Sequence, residues 1–267
     1  MFPQIIILAY LFAGYSEAFA DPVLTSSRLE PFTDEPEHQA GDSAKNTSSR
    51  KMLLAKTGLI VVPTPKIPSD YFLESLATIM SHGLSNDTQK KLTRLQYVIS
   101  DDSISKNGVD AYYSHEMNAL IIGKTSDVNS SRPKHQLART WSVIAHEIGH
   151  AYVMSNFTAE RLALLAHRFG PWQFANFTSS DNLLSPLFFS PHPLFGAPAG
   201  AINELENSPS RYALQNVHEW FAECFSTMVQ EKLRRQGFFP DERSILDVNA
   251  RPLSAALQSW FHENITH

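Results

Sequence analysis

The side chains of this 267-residue chain that could do chemistry are concentrated in the run His146-Glu147-Ile148-Gly149-His150. Residues four apart lie on one face of a helix, so the two imidazoles can bind the same metal ion. Neutral imidazole is a good zinc ligand, and Glu147 would reach a zinc-activated water rather than the metal. Zinc lowers the pKa of its water to about 7, so this carboxylate can act as general base. The motif therefore predicts one Zn²⁺ ion and hydrolysis of peptide bonds.

A catalytic zinc site takes three protein ligands and leaves a fourth position for water. One extension of the motif places Gly three residues and His six residues after the second His. Here those positions hold Val153 and Asn156, so the third ligand is expected from another segment. Glu219 lies in an apolar helical stretch, where a buried carboxylate needs a partner such as a metal. Glu223, one turn further on, is predicted to hydrogen-bond a ligating His.

Two long helices have to position these residues. The first begins near Pro133, whose missing N–H costs nothing in a first turn, and carries an apolar stripe through the motif. The second is predicted from Arg211 to about Leu233. Strands that precede the helices indicate an α+β fold. The predicted strands are Gly58–Val62, Tyr97–Ile99 and Ala119–Ile122, and the predicted shorter helices follow Ser69 and Asn86 and span Leu253–Phe261.

The N-terminal residues are predicted to direct export of the chain and to precede a single folded domain. Residues 1–20 are typical of a signal peptide, because a short apolar run precedes Ala18-Phe19-Ala20. Residues 21–52 are polar and are predicted to form a disordered leader. This leader is either a propeptide cleaved at Arg50–Lys51 or a flexible linker. Residues 53–267 then form the zinc metallopeptidase domain, with an irregular insertion at about 169–209.

Sequons for N-linked glycosylation give a second indication of export. They are more frequent than the composition predicts, and such glycans lie on surface loops of secreted proteins. A secreted, extracellular protein is therefore expected, without a stable membrane span. The acceptor residues are Asn46, Asn86, Asn129, Asn156, Asn176 and Asn264.

Composition excludes several other classes. The formal net charge of -5 argues against a nucleic-acid partner, which usually requires a basic surface. A single Cys excludes both an intramolecular disulfide and a zinc site made of several thiolates. We expect a monomer whose partner is a protein or peptide substrate.

The two motif regions resemble one family, the anthrax lethal factor-like metallopeptidases, which include the Pro-Pro endopeptidases. The likeness rests on His146–Ala151 and on Tyr212, which is followed seven residues later by Glu219-Trp-Phe-Ala-Glu223. It implies a zincin-like α+β fold with a small mixed sheet and a helix that carries the motif. It also implies zinc ligands at His146, His150 and Glu219, a general base at Glu147 and an oxyanion donor at Tyr212. A toxin-like role is suggested by the resemblance alone.

The sequence indicates less about substrate recognition than about the metal site. In that family the strand before the active-site helix tends to bind extended substrate, and Ala119–Gly123 is the counterpart here. The stretch between His150 and Tyr212 is longer than the family leads us to expect, so cleavage specificity is not carried over.

Two alternative functions stay open. The first is a different two-helix zinc peptidase, a gluzincin, in which Glu204 or Glu206 is the third ligand. The second is a secreted, non-catalytic binding protein that keeps zinc for stability alone.

Overall fold

The computed structural model describes residues 44–107, 109–124, 134–170, 208–210, 212–214, 216–238 and 253–266. The predicted signal peptide and most of the predicted insertion lie outside these residues. The described part has a mixed α+β architecture, in which helices surround a small sheet, as the sequence predicted.

Four short strands form the sheet in the described part of the chain. They are β1 (Ile60–Val61), β2 (Tyr97–Ser100), β3 (Ala111–Ser114) and β4 (Ala119–Ile122), in the spatial order β1-β2-β4-β3. The first two and β4 are parallel, whereas β3 is antiparallel to β4, with Tyr113 opposite Leu120. Asn118 has φ 51° in the reversal between them, a left-handed conformation that Asn tolerates better than most residues.

The position of β4 corrects the expected substrate-binding strand. Its residues pair with β2 on one side and with β3 on the other, so it has no free edge. The edge beside the motif helix belongs to β3. The sequence patterns do not predict β3, because Ala111-Tyr-Tyr-Ser is short and has neither a continuous apolar run nor strict alternation.

The N-terminal helix α1 (Ala44–Thr57) corrects the predicted leader. It contacts the next helix, α2 (Asp70–Thr78), and the side chain of Leu53 is fully buried. Ser49, four residues earlier on the same face, is also buried, so residues 44–52 belong to the folded unit that begins at Asp42. Arg50–Lys51 lies inside this helix rather than in an extended segment. A helical position of this kind is unsuited to processing by a protease.

The short elements after α1 follow local capping rules. Ser69 caps α2 as predicted, since its Oγ accepts the N–H of Phe72 at 3.2 Å. A π-helical turn, Ile79–Gly83, continues α2, and α3 (Asn86–Lys91) begins after the cap residue Ser85. These elements bury an apolar face that comprises Phe72, Leu73, Leu76, Ile79 and Met80.

The long helices are α4 (Lys134–Asn156), α5 (Ala159–Phe169) and α6 (Val217–Arg235), and α7 (Ala255–Phe261) continues as a π-helical turn. The predicted helix from Arg211 is interrupted: Tyr212–Leu214 forms a separate 3-10 turn. Asn216 then caps α6, because its Oδ1 accepts the N–H of Glu219 at 2.9 Å. Among the described residues, no helix combines the length and apolar character needed to cross a membrane.

The core is built where α4 packs on α6. Phe221 and Phe225 of α6 are fully buried, and the ring of Tyr152 from α4 stacks on Phe221 with centroids 6.1 Å apart. Phe261 of α7 packs on the same ring at 5.4 Å. The motif helix α4 also contacts β3, so it is held between α6 and the edge of the sheet.

Two adjacent leucines test whether α1 belongs to the fold. Leu53 is fully buried, whereas Leu54 is 50% exposed. We expect Leu53→Ala to lower the free energy of unfolding by about 2–5 kcal/mol, because it leaves a cavity. Leu54→Ala should change it by no more than about 0.5 kcal/mol. Equal effects in urea unfolding would contradict the packing of this helix.

Candidate metal centre

Three side chains from two helices converge on one point. His146 Nε2 and His150 Nε2, one turn apart on α4, lie 3.0 Å from each other. Glu219 Oε2, from the first turn of α6, is 3.0 Å from His146 Nε2 and 3.3 Å from His150 Nε2. The structure therefore brings together the three residues that the sequence nominates as ligands.

The donor set fits a zinc ion. Two imidazole nitrogens and one carboxylate oxygen are the ligands of many catalytic zinc sites. A tetrahedral ion with ligands at about 2.05 Å would separate them by about 3.3 Å. The observed separations of 3.0–3.3 Å come close to this value without any movement of the helices. Three protein ligands also leave a fourth position for water, as catalytic zinc sites require.

Glu223 fixes the orientation of the first ligand. Its Oε1 lies 2.8 Å from His146 Nδ1, so the ring nitrogen that faces away from the metal position is held by a carboxylate. This contact keeps the proton on Nδ1 and leaves Nε2 as the donor atom. The hydroxyl of Ser210 also hydrogen-bonds Glu223 and accepts the N–H of Ala213 at 3.1 Å. Glu223 thereby connects the site to the 3-10 turn.

The two helices approach closely because residue 149 has no side chain. A Cβ at Gly149 would lie 2.9 Å from the Cα of Ala222 and 3.2 Å from Phe225 Cβ. Both values are below a normal van der Waals contact, and the first involves backbone that cannot swing away. Glycine at this position of the motif therefore sets the distance between the helix with the His pair and the helix with the Glu pair.

A buried polar cluster holds the same interface further along. Ser226 Oγ donates to the carbonyl of Ser142 at 3.0 Å, and Gln230 Nε2 donates to Ser226 Oγ at 2.7 Å. Ser142 Oγ donates to Gln230 Oε1 at 3.2 Å, which closes the cluster. Satisfied buried hydrogen bonds of this kind fix the register of two packed helices. The ligands on α4 therefore stay aligned with those on α6.

Glu147 is held by the edge of the sheet through one of its two carboxyl oxygens. The backbone N–H of Tyr113, on β3, donates to Glu147 Oε2 at 2.9 Å. Burial raises the pKa of this carboxyl, although nearby His146 and His150 partly oppose the rise. A carboxyl group whose pKa moves up toward neutrality is suited to accept and return a proton. Its partner, the amide of Tyr113, was not foreseen because β3 was not predicted.

Tyr212 lies beside the first ligand. Its ring centroid is 5.7 Å from that of His146, and the side chain is 48% exposed. Partial burial raises the pKa of its hydroxyl, and the negative charges of Glu219 and Glu147 raise it further. The hydroxyl therefore stays protonated at neutral pH, and it hydrogen-bonds the Glu219 carboxylate. The break between the 3-10 turn and α6 allows the ring to reach the site.

Opposite charges compensate one another among the candidate ligands and Glu223. Burial alone would lower the pKa of His146, but hydrogen bonds to Glu219 and Glu223 outweigh it and raise this pKa to about 10. Burial would conversely raise the pKa of Glu219, and the hydrogen bonds from His146 and His150 lower it well below its usual range. The site is thus a buried ion pair that a divalent cation can replace.

Some of the ligands and sequons predicted from the sequence lie outside the part of the chain that the structure describes. Glu204 and Glu206, the alternative third ligands, lie outside the described residues. The sequons at Asn129 and Asn176 also lie outside them, and the side chain of Asn46 is not described although its backbone belongs to α1. Ser210 was not nominated from the sequence, and no motif signals it.

Gly149→Ala tests the close approach of the helices. In an open helix this change stabilises by up to about 1 kcal/mol. Here we expect a loss of about 1–3 kcal/mol in thermal or urea unfolding, because the new methyl group would overlap the backbone at Ala222. Weaker zinc binding should accompany it. A stabilised variant would show that the helices are further apart than described.

Zinc binding should depend on pH through His146. With a folded pKa of about 10 against an ordinary value of 6.5, the protonated form of His146 stabilises the protein without zinc fully below about pH 6.5. This contribution is lost as the pH rises toward 10. Zinc must displace the proton from the imidazole, so apparent affinity should rise by about tenfold per pH unit near neutrality.

Calorimetry in two buffers of different ionisation enthalpy measures this proton. We expect release of about one proton per zinc ion at pH 7. Glu223→Gln removes a charge that holds the proton on His146, and it should reduce the number released. Zinc binding with no proton release in the unmodified protein would contradict the described ion pair.

Comparison of the chain with protein-family models, with curated proteins and with solved structures finds no match. The resemblance to the lethal factor-like peptidases therefore rests on the motif residues alone.

Proposed function

We propose that the protein is an exported zinc-dependent metalloendopeptidase with a zincin-like fold. The observation that carries this proposal is the convergence of His146 Nε2, His150 Nε2 and Glu219 Oε2 within 3.3 Å. A structural metal would need only those three groups and a fourth ligand. The site also contains the buried carboxyl of Glu147 and the phenolic hydroxyl of Tyr212, and these two additional groups favour catalysis.

His146, His150 and Glu219 would hold the zinc ion, which when bound supplies a Lewis acid that polarises oxygen ligands. Glu147 would take a proton from the attacking water and later give it to the amine of the leaving product. Its Oε2 accepts the amide of Tyr113, and Oε1 accepts no hydrogen bond from the described residues. Oε1 would therefore be the oxygen that takes the proton. Burial raises the pKa of this carboxyl, which helps it to retain the proton between the two steps.

Tyr212 would stabilise the negative charge that develops on the carbonyl oxygen of the cleaved bond. Its hydroxyl is protonated, because burial and the nearby carboxylates raise its pKa, and it belongs to a turn that the Ser210 hydroxyl ties to Glu223. A fixed donor aimed at developing charge contributes more to the transition state than to substrate binding.

The substrate would be a peptide in an extended conformation. Strand β3 is an edge of the sheet and lies against α4, and its Tyr113 amide contacts the general base directly. An extended peptide that pairs with this edge would bring its backbone past Glu147. This assignment replaces β4, which is paired on both sides. Export rests on the N-terminal residues and the sequons of the sequence.

Replacement of Glu147 is the direct test of catalysis. We expect Glu147→Gln to lower kcat for an unfolded protein substrate by about 10²–10⁴-fold and to leave zinc content unchanged. The matched control is Glu116→Gln, because Glu116, like Glu147, directly follows a histidine (His115) but is exposed. It should cleave normally. Zinc content is measured by atomic absorption in both variants.

Tyr212→Phe separates the oxyanion donor from a structural tyrosine. We expect kcat to fall by about 10²–10³-fold with little change in KM, since the lost bond forms mainly in the transition state. Stable zinc binding with no cleavage in the unmodified protein would favour the non-catalytic binding protein. Cleavage that survives Glu219→Gln with full zinc content would favour a different third ligand.

A further inference from the structure

Three of the six sequons fall on side chains that the structure describes: Asn86, Asn156 and Asn264. An N-linked glycan replaces one of the two hydrogens on the amide nitrogen Nδ2. An Asn that already donates both hydrogens must therefore break a bond to carry a glycan. The glycan is also bulky and has to extend into solvent. These two conditions distinguish the three positions.

Asn86 meets both conditions. It is the first residue of α3, and its side chain is exposed. Its amide nitrogen makes no hydrogen bond to the described residues. The middle residue of the sequon, Asp87, is also open to solvent, with a side chain that is 73% exposed. A glycan at Asn86 would extend outward without displacing any contact.

Asn264 also meets both conditions, although one of its two amide hydrogens is already in a hydrogen bond. It is exposed, as are the preceding residues His262 and Glu263. Its Nδ2 donates to the carbonyl of Trp260 at 2.7 Å, which leaves the second hydrogen free for substitution. The bond to Trp260 would hold the amide still and direct a glycan away from the surface.

Asn156 fails on both counts. Its side chain is half-buried at the C-terminal end of α4. Its Nδ2 donates to the carbonyl of Tyr152 at 2.8 Å and to the carbonyl of Lys91 at 3.1 Å, so both hydrogens are in use. A glycan would break one of these bonds, and the side chain that would carry it is only half-exposed.

The two favourable sequons lie against each other. Thr88, the hydroxyl residue of the first sequon, donates to the carbonyl of Ile265 in the second at 2.9 Å. The N–H of Ser85 donates to the same carbonyl at 3.0 Å. We propose that Asn86 and Asn264 are N-glycosylation sites that form one carbohydrate patch on the chain, and that Asn156 carries no glycan.

The carbohydrate patch is separated from the metal centre. The contact of Lys91 with Asn156 places α3 at the C-terminal end of α4, six residues beyond His150. Six residues advance a helix by about 9 Å. The patch is therefore displaced from the zinc ligands by about this distance along α4.

The experiment expresses the full chain behind a secretion leader and a short tag with one acceptor sequon, in a eukaryotic host. Peptide N-glycosidase in ¹⁸O water converts each glycosylated Asn to labelled Asp, which peptide mass spectrometry locates. The tag reports that the chain has passed the glycosylation machinery. We expect label at Asn86 and Asn264 and none at Asn156. Label at Asn156, or an unlabelled Asn86 or Asn264 in a tag-labelled chain, would overturn the proposal.

Variants give an independent measurement. Asn86→Gln and Asn264→Gln should each remove the mass of one glycan from the secreted protein. Asn156→Gln is the matched control and should leave the glycan mass unchanged; a loss of one glycan in this variant would contradict the proposal. Zinc binding by the first two variants should equal that of the unmodified protein. The glycan masses do not depend on peptidase activity, so failure of this proposal can be distinguished from failure of the proposed function.

Discussion

The contact of α4 with α6 at Gly149 is the constraint on which the rest of the site depends. A single methyl group there would meet the backbone at Ala222 at 2.9 Å, so the two helices can be this close only at a glycine. The close approach allows a carboxylate on α6 to reach two imidazoles on α4. It also buries Phe221 and Phe225, whose packing stabilises the interface. Stability and ligand geometry therefore share one contact.

Burial of charge explains why the polar residues at this interface form one group. An isolated carboxylate or imidazolium in an apolar interior is strongly unfavourable, whereas a hydrogen-bonded pair is tolerated. His146 meets Glu219 through one ring nitrogen and Glu223 through the other, so both carboxylates have a partner. Glu147 is satisfied instead by the amide of Tyr113. The sheet edge is thereby tied to the same helix as the ligands.

The sequence predicts those features that depend on local pattern. The helical spacing of His146 and His150, the cap at Ser69 and the apolar runs of β2 and β4 are local, and the structure contains each of them. Features that depend on pairing between distant segments are not predictable in this way. Strand β3 has no apolar run, and its place at the sheet edge follows from its partner. The sequence predicts residues 44–52 of α1 as part of a polar leader, because the few buried residues of this helix become apparent only against α2.

The hydrogen bond between His146 and Glu219 has a consequence for the order of assembly. In small zinc domains the ligands are disordered until the metal arrives, and folding waits for it. Here the ligands already satisfy one another within a closely packed aromatic core. If zinc binds here as we propose, its uptake would exchange one set of side-chain contacts for another beside a core that is already packed. The chain would then reach its native conformation first and acquire the metal afterwards.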